Sequence, residues 1–181
     1  MRVIAGLHRS RLLVEVDAKT TREIKDRVKE SIFNSIGPYF TSETVLDLFA
    51  GSGALGIEAL SRGANKAVFV DNNYQAIKTV KHNLKTLNLV DKSIVINSNY
   101  LDYLHRTTEQ FDIIFLDPPY AMEEINNIIE LIAKKQLLKD DGIIICLYKK
   151  NNTIKTINND IIEYKQKVIR ITKISFMKWG K

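Results

Sequence analysis

Hydrophobic positions along the chain fall into short unbroken runs, separated by stretches in which they recur at helical spacing. Val45-Leu46-Asp47-Leu48-Phe49, Ala67-Val68-Phe69-Val70, Ser93-Ile94-Val95-Ile96-Asn97, Ile113-Ile114-Phe115-Leu116 and Ile143-Ile144-Ile145-Cys146-Leu147 are rich in β-branched and aromatic residues. Continuous rather than alternating, they predict strands buried on both faces of a parallel sheet. Helices are predicted before and between them. Ile24, Val28, Ile32 and Ile36, with Phe33, form one apolar face, as do Ile77, Val80, Leu84 and Leu87. A third helix runs through Leu60 and a fourth from about Glu123 to Lys135. Thr20 or Thr21 is the expected cap of the first helix, Gly37-Pro38 its end, and Gly63 a left-handed stop for the third. Strands alternating with helices predict an α/β fold.

The two ends of the chain read differently. Residues 2–16 hold two apolar runs, Val3 to Gly6 and Leu12 to Val16, around the polar Leu7-His8-Arg9-Ser10-Arg11, which predicts a hairpin or ribbon with a basic turn. Ile161 to Ile171 and Ile174 to Trp179 predict a closing antiparallel pair, and the polar stretch from Lys149 to Asn159 a loop. No repeat or long linker divides the chain. One domain is expected over 1–181, with 1–40 as an extension and 44–181 as the core.

Composition narrows the partners. The 181 residues carry a formal charge of +6, which favours a polyanion through a salt-sensitive attraction. Arg2, Arg9, Arg11 and Lys19 are candidate phosphate contacts, set against the plainer reading of a solvated loop. Cys146 stands alone in an apolar run, and His8, His82 and His105 show no ligand spacing, so neither a disulfide nor a metal site is expected. No stretch approaches the roughly 20 apolar residues of a membrane span. A cytoplasmic protein is expected.

Two motifs carry chemistry. Gly51-Ser52-Gly53-Ala54-Leu55-Gly56 spells G-x-G-x-x-G between a strand and a helix, and Asp71 ends the next strand about 20 residues on, where an acid accepts the hydroxyls of a ribose. This pattern suits either a nicotinamide dinucleotide or S-adenosylmethionine. Asp47, facing the loop, would repel a pyrophosphate and attract the ammonium of a methionine moiety. Asp117-Pro118-Pro119-Tyr120 ends the fourth strand, where open α/β sheets bind ligands. The prolines stiffen the corner and remove backbone donors, leaving acceptors beside an aromatic ring. Such a corner suits an amino group on a planar molecule, which favours methyl transfer to an exocyclic amine over hydride transfer.

The run from Asp47 to Gly63, the upstream Asp26-Arg27-Val28-Lys29-Glu30-Ser31-Ile32-Phe33-Asn34, and Asp117-Pro118-Pro119-Tyr120 resemble the RsmD family of bacterial 16S rRNA guanine-N2 methyltransferases. The resemblance extends from Arg2 to about Leu147. It implies a class I S-adenosylmethionine-dependent methyltransferase fold, a Rossmann-like seven-stranded sheet with its last strand antiparallel, preceded by a small N-terminal hairpin and helix. It implies methylation of a guanine N2 in 16S rRNA, within the 30S subunit, by a monomer. On the matched motifs, Asp47, Phe49, Gly51, Ser52 and Gly53 would line the methionine part of S-adenosylmethionine, Asp71 its ribose, and Asn99 and Tyr100 its adenine. Asp117, Pro118 and Tyr120 would hold the target base. The chain departs from the family at Arg22-Glu23-Ile24-Lys25-Asp26, where Arg-Pro-Thr-Thr-Asp is usual, and at Ile169-Arg170-Ile171-Thr172, where Tyr-Gly-x-Thr is usual. Leu147 stands where an acid is common. Alternatives are an adenine-N6 or cytosine-N4 methyltransferase using the same corner, a protein-glutamine methyltransferase, whose corner has Asn for Asp117, and a non-catalytic RNA-binding module.

Overall fold

The structure, a computed structural model, describes residues 1–16, 26–119, 124–150 and 160–180. The expected cap at Thr20 or Thr21, and Lys19, Ile24 and Tyr120, lie outside the described residues. In chain order the elements are α1 (Asp26–Ile36), β1 (Thr44–Asp47), α2 (Ala54–Ser61), β2 (Lys66–Asp71), α3 (Tyr74–Thr86), β3 (Ser93–Asn97), α4 (Tyr100–Arg106), β4 (Phe111–Leu116), α5 (Ile125–Lys134), β5 (Leu138–Lys149), β6 (Ile161–Ile169) and β7 (Thr172–Trp179). The strands form one seven-stranded sheet in the order β3-β2-β1-β4-β5-β7-β6. β1 to β5 are parallel, and β7 runs antiparallel to both β5 and β6, as expected.

The continuous apolar runs are explained by cover on both faces. Val45, Phe69, Phe115 and Ile145 pack beneath α1, α2 and α3, where Ile32 and Phe33 are fully buried. Their neighbours Leu46, Val68, Ile114 and Ile144 pack on the other face beneath α4 and α5. Each buried Ile or Phe contributes about 1.5–3 kcal/mol of transfer free energy. Cys146 is wholly buried here, and burial pushes its thiol well above the usual range. No helix among the described residues is long and apolar enough to cross a membrane.

β1 ends at Asp47 rather than Phe49, β6 ends at Ile169 and β7 begins at Thr172, and two elements differ more widely from their expected form. β5 begins at Leu138, not Ile143, and takes in the polar Lys139-Asp140-Asp141-Gly142. Leu138 is buried in the core, but the polar residues after it are held by pairing. Leu138 pairs with Phe111, Lys139 binds Asp112 at 2.8 Å, and the Trp179 indole donates to the carbonyls of Leu138 and Lys139. The amino-terminal ribbon is antiparallel, but it consists of one bridge, Arg2 with Leu12, and flanking bonds such as Ser10 N–H to the Val3 carbonyl. Its backbone is occupied elsewhere. Ile4 and Ala5 donate to the Glu58 carboxylate at 2.8 and 3.0 Å, and Leu7 donates to the Ser61 carbonyl at 2.7 Å.

Candidate active site

The strand order reverses between β1 and β4, so a crevice opens above their carboxyl ends. β1 delivers Asp47 to it, β2 Asp71, and β4 Asp117. Three carboxylates thus meet at one edge of the sheet. Asp117 is half-buried and Pro118 buried behind it.

Gly51 and Gly53 both have positive φ, 54° and 82°, and they turn the chain from β1 into α2. A Cβ built on Gly51 would meet nothing within 4 Å, so the turn is open at this position. Gly56 serves packing instead. Its Cβ would stand 2.3 Å from the Phe69 ring, so only glycine lets α2 lie this close to β2.

Asp47 is 1% exposed and lies under the start of α2, where its Oδ2 accepts the Gly56 N–H at 3.0 Å. Burial pushes its carboxyl up to about 8; the Gly56 N–H opposes that shift, and Asp117 and Asp71 add to it. Asp71 accepts two backbone N–H groups, from Gly51 at 2.9 Å and from Asn73 at 2.8 Å. It therefore fastens the glycine turn to β2, a role not legible in the motif, while each oxygen keeps a lone-pair direction for a hydroxyl donor.

Phe49 and Tyr100 bring their rings to 5.3 Å across the side of the crevice nearer β3. Asn99 caps α4 through its side-chain oxygen, which accepts the Leu101 N–H at 2.8 Å, so its NH2 is left to donate outward. The Tyr100 hydroxyl is bonded to the Glu124 carboxylate, tying the start of α4 to the start of α5. Burial first, and then Glu124, push that phenol up to about 12.

The basic candidates are not gathered at the crevice. Arg9 and Arg11 are exposed on the ribbon, whose turn docks at the end of α2 away from the glycine loop, about 12 Å along the helix. Arg2 is paired with Asp26 at 2.9 Å.

Two buried polar groups escaped sequence reasoning. Glu58 is fully buried and bonded to Arg62 at 2.8 Å, with the fully buried Lys29 ammonium 3.5 Å away. Its signal was an acid inside the otherwise apolar Ala54-Leu55-Gly56-Ile57-Glu58-Ala59-Leu60. Asn83, also buried, accepts the Val14 N–H and donates to the carbonyls of Val14 and Ser52, pegging the ribbon to the glycine loop. Nothing in the spacing of α3 marks it.

The donor set fits S-adenosylmethionine on these observations. A buried carboxylate and an open turn, with no cation bonded to either among the described residues, suit a cationic amino acid moiety, and they oppose a pyrophosphate.

Known proteins agree with this geometry. Residues 1–178 match the family described as "Conserved hypothetical protein 95". The chain is 41% identical over 181 residues to the protein YlbH of Bacillus subtilis, covering 98% of each chain. It is 38% identical over 162 residues to the ribosomal RNA small subunit methyltransferase D of Haemophilus influenzae, covering 88% of this chain and 84% of that one. Among solved structures, yhhF of Escherichia coli superposes with a TM-score of 0.85 at 30% identity, covering 99% of this chain and 97% of that one. With the seven-stranded order, the glycine turn and the Asp117-Pro118 corner in place, the chain belongs to the RsmD family and has the class I methyltransferase fold.

Proposed function

We propose that this protein methylates the exocyclic N2 amine of a guanine in 16S rRNA, within the 30S subunit, using S-adenosylmethionine. The observation that carries the reading is the meeting of Asp47, Asp71 and Asp117 around an open glycine turn. Relatives named ribosomal RNA small subunit methyltransferase D support the choice of RNA.

Asp47, Gly51, Ser52 and Gly53 would hold the methionine part of the cofactor, Asp71 the ribose hydroxyls, and Phe49, Asn99 and Tyr100 the adenine. The bound cofactor supplies an electrophilic methyl group. The chain's own task is then orientation. The guanine leaves its RNA loop and stacks on Tyr120, while the Asp117 carboxylate and the Pro118 carbonyl accept its N2 hydrogens. These acceptors pin the amine and turn its lone pair out of conjugation with the ring. Positioning of this kind is worth up to about 7–11 kcal/mol of barrier.

The test is methyl-labelled S-adenosylmethionine with 30S subunits lacking the modification, or with naked 16S rRNA, followed by nucleoside analysis. Label in N2-methylguanosine is expected. Label in N6-methyladenosine would keep the cofactor site and overturn the target, and no label in RNA despite cofactor binding would overturn the reaction.

A further inference from the structure

We propose that Lys149, Lys150, Arg170 and Lys173, at the carboxyl end of β5 and around the β6–β7 turn, form the track for the RNA backbone beside the target base. The inference rests on the RNA methyltransferase reading above. Pairing of Lys149 with Thr172, and donation of the Lys150 N–H to the Ile171 carbonyl at 2.9 Å, bring the β6–β7 turn to the crevice end of the sheet. Leu116 pairs with Cys146 on the neighbouring strand. At about 3.3 Å per residue and about 4.8 Å between strands, the four backbone positions lie roughly 8–17 Å from Asp117.

Arg2, Lys66 and Lys139 elsewhere are paired with Asp26, Glu109 and Asp112. Among the described residues, none of the four rim cations has a carboxylate within ion-pair distance. The Lys173 ammonium instead lies 5.5 Å from the centre of the Tyr148 ring. Arg170 has φ 56°, a left-handed conformation that glycine adopts without strain. A long cationic side chain is thus displayed at the tip of the turn at a conformational cost, a pattern associated with functional positions. Ile171 beside it is 61% exposed and offers apolar contact to a sugar or base.

Charge also decides the direction of the RNA. A phosphate backbone cannot lie along Asp47, Asp71 and Asp117. On the β2–β3 flank the strands end in Asp71 and Asn97, and Arg106 of α4 is spent on the Asp102 carbonyl and the Ser98 hydroxyl. Among the described residues, the β5–β7 flank presents cations next to the corner. A neutral base then enters among acids while its phosphates lie on lysines and arginine.

The track is tested by binding of 16S rRNA transcript across a salt series, together with steady-state methylation of 30S subunits. In a Lys149→Gln/Lys150→Gln/Lys173→Gln variant, the slope of log affinity against log salt should become shallower by about 2, at about 0.7 per single-stranded phosphate contact. KM for the RNA should rise tenfold or more, with kcat at saturating RNA and cofactor affinity unchanged. Arg170→Gly should weaken RNA binding while leaving Tm equal or higher, a pair of signs that a merely structural role does not produce. Wild-type slope and KM in both variants would overturn the track, as would a wild-type protein that binds no RNA. If the wild type binds cofactor and rRNA but methylates neither substrate, the proposed reaction fails, and the slope still decides the track.

Discussion

Asp47 sets function against stability in a single side chain. Its carboxyl ordinarily titrates at 3.8 and is raised to about 8 in the fold, so the folded state holds the proton more tightly than the unfolded chain. The fold is therefore unburdened below about pH 4, loses stability as the pH rises toward 8, and changes no further above it. Asp47→Asn should raise Tm relative to wild type, by a margin that widens from pH 4 to pH 8, as measured by thermal unfolding. The same variant should bind S-adenosylmethionine poorly. A cationic ligand favours the ionised carboxylate, so wild-type affinity should fall as the pH drops below 8, and calorimetry should find that slope absent in Asp47→Asn. Asp117→Ala should behave oppositely. Cofactor affinity should change little while kcat falls at least a hundredfold, because the lost group acts mainly on the acceptor amine. Single-turnover methylation checks this.

At the scale of elements, legibility followed the source of each element's stability. β3, from Ser93 to Asn97, was readable to the residue, and so was the apolar face of α3, because local pattern determines both. The five residues that open β5 were not readable, since the Lys139 side chain is held by Asp112 and the Leu138 and Lys139 carbonyls by Trp179, both distant in the sequence. The glycine loop and its three acids were legible because their spacing is the chemistry. The clamp on the ribbon was not, because Lys29 of α1 meets Glu58 and Arg62, at the end of α2, only when the chain folds. Burial lowers the Lys29 ammonium below its ordinary value, and Glu58 opposes that shift. Glu58→Gln leaves two buried cations without their counter-charge and should cost about 3–5 kcal/mol, seen as a lower urea midpoint. Adding Lys29→Met should recover part of that loss.

For the whole molecule, the +6 charge is unevenly distributed, with acids in the crevice and basic side chains on the ribbon and the β5–β7 rim. The two ligands should therefore respond differently to ionic strength. Raising salt from about 50 to about 200 mM should raise KM for 30S subunits steeply through counterion release, while cofactor affinity changes little because Asp47 is shielded from solvent. Parallel titrations of the two substrates measure the contrast.

Asn83 makes the ribbon and the glycine loop thermodynamic partners. One amide joins both backbone groups of Val14 to the Ser52 carbonyl, so a shift of either segment strains the other. Any factor by which ordering the ribbon tightens the loop must return as the same factor in the opposite direction. Occupancy of the loop by a small ligand should thereby also stiffen the ribbon, through the Asn83 amide that holds both.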